Sequence, residues 1–321
     1  MTKFFIKLFI FLIPIIIVYN IPKFTHYTFN TDIKRKINSL VEKSNEHIII
    51  VCGDSRAERQ IIPDIIEKRL EIKSINIGVS GGDLAILYNA LKQHDLINLQ
   101  NPLIISISSI ETNDNVVDKW GIPHAYVTYF STLDNVKLFG IRYLNMMHER
   151  LGLIFKEIFK IEKKAKLSLS DRRLHNKGFW ELTGDISTFN FDEVDIFTNT
   201  LKTPWYLNSN HEGVKKEIFE ELINKIADSG MNIIIFQPPV SPGWLKRTKN
   251  TYIDSIELDH SKLLKNVSNK YDNVSFIDFY TNQSTTFHDS MFYNSTHYNS
   301  HGAEIFTNAL LDSIISRNLL K

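Results

Sequence analysis

Cysteine is almost absent: 321 residues contain one, Cys52. A single thiol excludes an intramolecular disulfide and a zinc site of the CxxC type. Thirteen glycines and nine prolines are too few for a linker-rich or low-complexity chain. Neither sign of charge dominates, with 37 Lys+Arg against 36 Asp+Glu and a formal net charge of +1. That balance argues against a dedicated nucleic-acid binder, which normally carries a basic excess. The His, Asp and Glu residues show no HExxH or comparable ligand spacing, so neither a metal nor a cofactor is expected. No solenoid-type repeat is present. What remains is globular in composition, 43% hydrophobic and 23% charged. Either one large α/β domain or two smaller domains fits that length.

The one long apolar run is N-terminal. Residues Phe4 to Ile21 read FFIKLFIFLIPIIIVYNI, and roughly 18 residues is near the minimum for a spanning helix. Lys3 and Lys7 lie at its start, and Lys7 can snorkel towards the head groups. Positive charge before the run and a long domain after it predict a transmembrane signal-anchor over 1–22, N-terminus cytoplasmic and main domain extracytoplasmic. A cleaved signal peptide is the rival, but YNIPKFTHYTF offers no A-x-A site. Residues 23–46 are mixed and polar and read as a stalk.

Beyond it, short β-branched runs alternate with helical spacing. Strands are expected at His47–Gly53, Lys73–Gly78, Pro102–Ile110, Gly230–Pro239 and Asn273–Phe279, with amphipathic segments between them and a last helix from His301. About five strands alternating with helices mean an α/β fold with a parallel sheet covered on both faces. Such sheets bind ligands beyond the carboxyl ends of their strands. The piece from about 116 to about 210 breaks the alternation and reads as a helical cap insertion. Its basic run Lys160–Lys177 reads as a solvated face, or as a contact for lipid head groups or an anionic polymer.

Three loops carry residue types suited to acyl chemistry. Gly53-Asp54-Ser55-Arg56 follows the first strand. A serine at a strand-to-helix turn presents its hydroxyl at the carboxyl edge of the sheet, and its N–H can face an oxyanion; an ordinary N-cap serine has the same pattern. Asn76-Ile77-Gly78-Val79-Ser80-Gly81-Gly82-Asp83 follows the second strand. It reads as a backbone donor loop, as a plain turn before a helix, or as a G-x-S-x-G nucleophile elbow centred on Ser80. The third runs from Asn294 to Ala303, with His297 in a loop just before the last helix.

Together these blocks resemble the SGNH/GDSL hydrolase family. The matching residues are G-D-S at 53–55, N-x-G-x-S-G at 76–81 and H-x-N-x-x-G-A at 297–303. The resemblance implies a flavodoxin-like three-layer α/β/α sandwich, Ser55 as nucleophile, His297 as general base, and the backbone of Ser55 and Gly81 as oxyanion donors. The family's further oxyanion residue falls on Asn113, where Glu111 takes the usual glycine position. The N-terminal run and the G-D-S-R sequence look similar to a membrane-anchored subset that includes D-alanine transfer and polysaccharide O-acetylation proteins. That implies an acyl ester of an envelope glycopolymer, or a small acyl ester, as substrate and a membrane acyl-donor protein as a partner.

The family's acid, an Asp three residues before the His, is Asn294 here. In a serine protease the Asp-to-Asn change costs about 10⁴ in rate, because the wrong tautomer is held. An Asn carbonyl can orient the ring but supplies no charge. Three arrangements follow: a Ser-His dyad oriented by Asn294, a triad completed by Asp289 through another loop path, or a domain that binds an acylated polymer without efficient turnover.

Overall fold

The computed structural model describes residues 31–79, 87, 91, 101–112, 179, 214–282 and 287–320. The chain divides into two compact units. Lys36–Val117 with Ser170–Lys321 form the larger, and Met1–Arg35 with Asp118–Leu169 the smaller. The smaller unit contributes only residues 31–35 to the described part. The apolar run 4–21 and almost all of the expected cap lie outside the described residues. Among those described, no helix is long and apolar enough to cross a membrane.

Five strands form one sheet in the order β2-β1-β3-β4-β5. They are β1 (Ile48–Gly53), β2 (Lys73–Asn76), β3 (Leu103–Ser106), β4 (Ile233–Gln237) and β5 (Val274–Asp278). Every neighbouring pair is parallel. All five strands fall inside the runs expected from β-branched clusters. All are shorter than the expected runs, and two of them end early for clear local reasons. β3 ends at Ser106 because the chain turns into a short helix, α4 (Ser109–Thr112), with the Ser108 N–H donating to Glu111 Oε2 at 2.6 Å. β4 ends at Gln237 because Pro238 and Pro239 carry no N–H to continue a ladder.

Both faces of the sheet are buried. Ile49, Val51, Ile104, Ile234, Phe236 and Ile277 belong to one core cluster with Ala57, Ile66 and Phe306. Their neighbours along the strands, Ile48, Ile50, Leu103, Ile105, Ile233 and Ile235, are equally inaccessible. Since side chains alternate faces along a strand, each face needs its own cover. Helices α2 (Ser55–Gln60), α3 (Pro63–Leu70) and α8 (Ser300–Ser316) pack together with β1 and β2. Helix α7 (Tyr252–Ser268) packs on β4 and β5. Helices α5 (Val214–Asp228) and α6 (Pro242–Thr248) complete the described set after β3.

Part of the segment expected as a stalk is a packed helix, α1 (Thr31–Glu42). Ile37 and Leu40 are buried, and so is Lys36. Lys36 Nζ pairs with Glu58 of α2 at 2.8 Å and also donates to the Gly78 carbonyl. Hydrophobic residues three apart and one buried cation are a weak signal against a polar background, so the sequence alone reads as linker. Removing one partner of such a buried pair typically costs about 3–5 kcal/mol. The lone cysteine, Cys52, lies in β1 at 1% exposure, and burial raises its thiol pKa well above the ordinary value. It is an inert core residue.

Candidate active site

In a sheet of this order, the chain leaves β1 for one edge and β3 for the other, so the gap between the carboxyl ends of β1 and β3 is a topological switch point. Ser55 sits at the end of β1. Gly53 closes the strand with φ +131°, and a Cβ there would lie 2.3 Å from the Ser106 carbonyl oxygen of β3. Only glycine tolerates both the backbone and the approach. The Gly53 carbonyl accepts from Val79 N–H at 3.0 Å, tying this turn to the loop after β2.

The N-cap of α2 is Asp54, not Ser55. Asp54 Oδ1 accepts from the Arg56 N–H at 2.8 Å, and its Oδ2 accepts from Ser108 Oγ at 3.1 Å. Ser55 is thus the first helical residue, whose N–H has no acceptor within the helix. Asn76 braces the other end of α2. Its Nδ2 donates to the carbonyls of Ala57 and Ile61 at 2.7 and 2.9 Å, while its Oδ1 accepts from Gly78 N–H.

His297 reaches the same point from 242 residues away. Ser55 Oγ and His297 Nε2 are 2.7 Å apart. The histidine loop is held from four sides. A bridge pairs Phe292 with Tyr298, and Tyr293 N–H donates to the His297 carbonyl at 2.8 Å. Tyr298 stacks on Phe306 with ring centroids 5.3 Å apart. Gln60 at the end of α2 donates through Nε2 to the Thr296 carbonyl at 2.7 Å. Asn299 caps α8 through Gly302 N–H and donates to the Ser290 carbonyl. Gly302 leaves no room for a Cβ, which would lie 2.0 Å from the Met291 carbonyl oxygen. Asn299 and Gly302 of H-x-N-x-x-G-A therefore act on the backbone, and they set the loop that carries His297.

The orienting group is Asn294. Its Oδ1 lies 3.0 Å from His297 Nδ1. The same oxygen accepts the backbone N–H groups of Thr296 at 3.0 Å and His297 at 2.9 Å. Two backbone donors can only meet the carbonyl end of the amide, so the amide cannot be reversed. His297 must then carry its proton on Nδ1 and present an unprotonated Nε2 to Ser55. This is the tautomer a general base needs. The wrong-tautomer cost expected for an Asn in this position does not arise, because the turn fixes which end faces the ring.

Asp289 is not the third member. Its Oδ1 accepts from Gly243 N–H at 2.9 Å, and no hydrogen bond joins it to His297. The eight-residue path is taken up by a 3-10 turn at Asp289–Met291 and the bridge at Phe292, which direct the carboxylate to the start of α6. Ser80, Gly81 and Asn113 lie outside the described residues. Glu111, at the position of the family's glycine, turns inward onto Ser108. Sequence reading missed Gln60, Ser108 and Thr296. Gln60 and Ser108 are polar residues whose partners are far away in the chain, and nothing local marks them.

Two cations act on the histidine. Burial of the ring, then Arg59, then Arg56, hold the pKa of His297 well below the ordinary imidazole value. The ring is neutral at pH 7, and the acid limb of kcat/KM for any reaction using it as a base lies well below pH 6.5. Replacing Arg59 by Gln removes a cation that opposes protonation, so His297 gains a proton more easily. The acid limb is expected to move upward in pH. An unmoved limb in a pH–rate profile of that variant would separate Arg59 from the histidine. Among the described residues no group of three His, Cys, Asp or Glu is arranged to hold a metal ion.

No protein-family model matches the chain, and no curated protein matches it significantly. Among solved structures, it is similar to one from Streptococcus pneumonia provisionally described as a platelet activating factor. The identity is 9% and the TM-score 0.41, over 91% of this chain and 97% of the other. A second, from Bacteroides fragilis and provisionally described as an acylhydrolase, has 11% identity and a TM-score of 0.41 over 87% and 96%. Likenesses this distant do not bear on activity, which rests on the site itself.

Proposed function

We propose that this chain is an SGNH-type serine esterase or acyltransferase, anchored in a membrane by residues 4–21 and acting on acyl esters of an extracytoplasmic glycopolymer. The observation that carries the catalytic part is the 2.7 Å contact of Ser55 Oγ with His297 Nε2, with Asn294 holding the basic tautomer at Nε2. Lys3, Lys7 and the apolar run support the anchor. The glycopolymer follows from the resemblance to the anchored subset alone.

In the reaction, His297 Nε2 accepts the Ser55 proton as Oγ attacks the acyl carbon. The carbonyl π bond opens to an oxyanion, which the N–H of Ser55 receives, with Gly81 and Asn113 as its further donors. The C–O bond to the alcohol breaks as His297 returns the proton to the leaving oxygen. Water or a sugar hydroxyl then attacks the acyl-Ser55 carbon by the same steps, giving hydrolysis or transfer. Each oxyanion donor is worth about 10²–10³ in rate.

Labelling with a serine-reactive fluorophosphonate tests this. Ser55→Ala is expected to abolish labelling and Ser80→Ala to leave it. The reverse pattern would assign the site to a Ser80 elbow. Absence of label at either serine, with glycan binding retained, would make the chain a binding protein on a hydrolase scaffold. Asn294 is the residue that favours this second reading, because it adds no charge to stabilise the imidazolium.

A further inference from the structure

Arg56 follows the nucleophile directly and is only 5% exposed. Its backbone N–H is bound by the Asp54 cap. Among the described residues, its guanidinium makes no hydrogen bond and no ion pair. The nearest acids in sequence are engaged elsewhere: Asp54 with the Arg56 N–H and Ser108, Glu58 with Lys36 at 2.8 Å. A buried guanidinium has five donors and cannot shed its proton in the accessible pH range. Its nitrogens are not among the fully buried polar atoms that lack a partner, so the fork keeps contact with solvent, from which an anion can reach it.

We infer that Arg56 recognises an oxyanion on the substrate, a carboxylate or phosphate-type group close to the scissile ester, and so makes anionic esters the preferred substrates. The planar fork of Arg matches such groups through two parallel N–H···O bonds. Arg56 is the residue after Ser55 in α2, and its charge helps to hold the His297 pKa low. The inference rests on the acyl-transfer reading of Ser55 and narrows its substrate.

The test uses the full-length chain in non-ionic detergent and matched esters with one leaving group. Mono-4-nitrophenyl succinate is compared with its methyl-capped form, and 4-nitrophenyl 3-phosphonopropanoate with its dimethyl ester. The wild type is expected to favour the charged member of at least one pair by about 10- to 100-fold in kcat/KM, as expected for a hydrogen-bonded charge. The favoured pair tells a carboxylate from a phosphate-type group. Arg56→Met is expected to erase that ratio, mostly through KM, and Arg56→Lys to keep part of it. Any change in His297 basicity affects both members and cancels in the ratio. Equal rates within both pairs in the wild type, or an unchanged ratio in Arg56→Met, would overturn the inference. If Arg56→Met does not fold, the wild-type ratio and Arg56→Lys decide. Calorimetric binding of the same esters to Ser55→Ala, with and without Arg56→Lys, keeps the two readings apart. Turnover independent of Ser55 would remove the acyl-transfer reading, whereas charged esters binding no tighter than capped ones would remove Arg56.

Discussion

His297→Ala is expected to lower kcat for ester turnover by about 10⁴–10⁶-fold, and Ser55→Ala to do the same. The double variant should be no slower than either single one. The hydroxyl is a poor nucleophile without a base, and the base has nothing to deprotonate without the hydroxyl, so the pair acts as a unit. KM should change little, because neither side chain is asked to bind the remote part of the substrate. Steady-state kinetics of the three variants on one chromogenic ester check this. Losses that multiply in the double variant would mean that Ser55 and His297 act independently, and the 2.7 Å contact would then be structural.

The second large effect concerns Asn294, and its two substitutions should move in opposite directions. Asn294→Ala removes the acceptor for Nδ1 and for two backbone N–H groups at once. The ring loses its tautomer and the turn loses its brace, and kcat is expected to fall by about 10²-fold or more. Asn294→Asp keeps all three acceptor contacts and adds a charge. That charge stabilises the imidazolium formed in the transition state, for a gain of about tenfold in kcat. It also raises the pKa of His297 from its lowered position, so the acid limb of the rate profile moves up in pH. A fall in kcat for Asn294→Asp with the fold intact would show that a neutral orienting group is required.

Most strands were legible because they are short runs rich in Ile, Val and Leu closed by glycine, proline or a polar turn. β2 has a single β-branched residue, Ile75, and its end was marked by Gly78. Helix α1 was not legible. Its buried side is Lys36, Ile37 and Leu40, and a lysine inside a core makes sense only with Glu58 and Gly78 in view. Asp289 looked plausible as an acid because spacing along a chain carries no direction. The Asp289–Met291 turn and the Phe292–Tyr298 bridge supply that direction.

Residue types and their order along the chain determined the five parallel strands, the G-D-S turn and the loop bearing His297. These follow from local rules of burial, backbone freedom and helix capping, which act over a few residues. Only the tertiary structure decided that Ser55 meets His297, that Asn294 shows its oxygen to the ring, and that Arg56 is left without a described partner. Each of those depends on contacts between segments brought together by packing, and on which end of a polar group faces which neighbour.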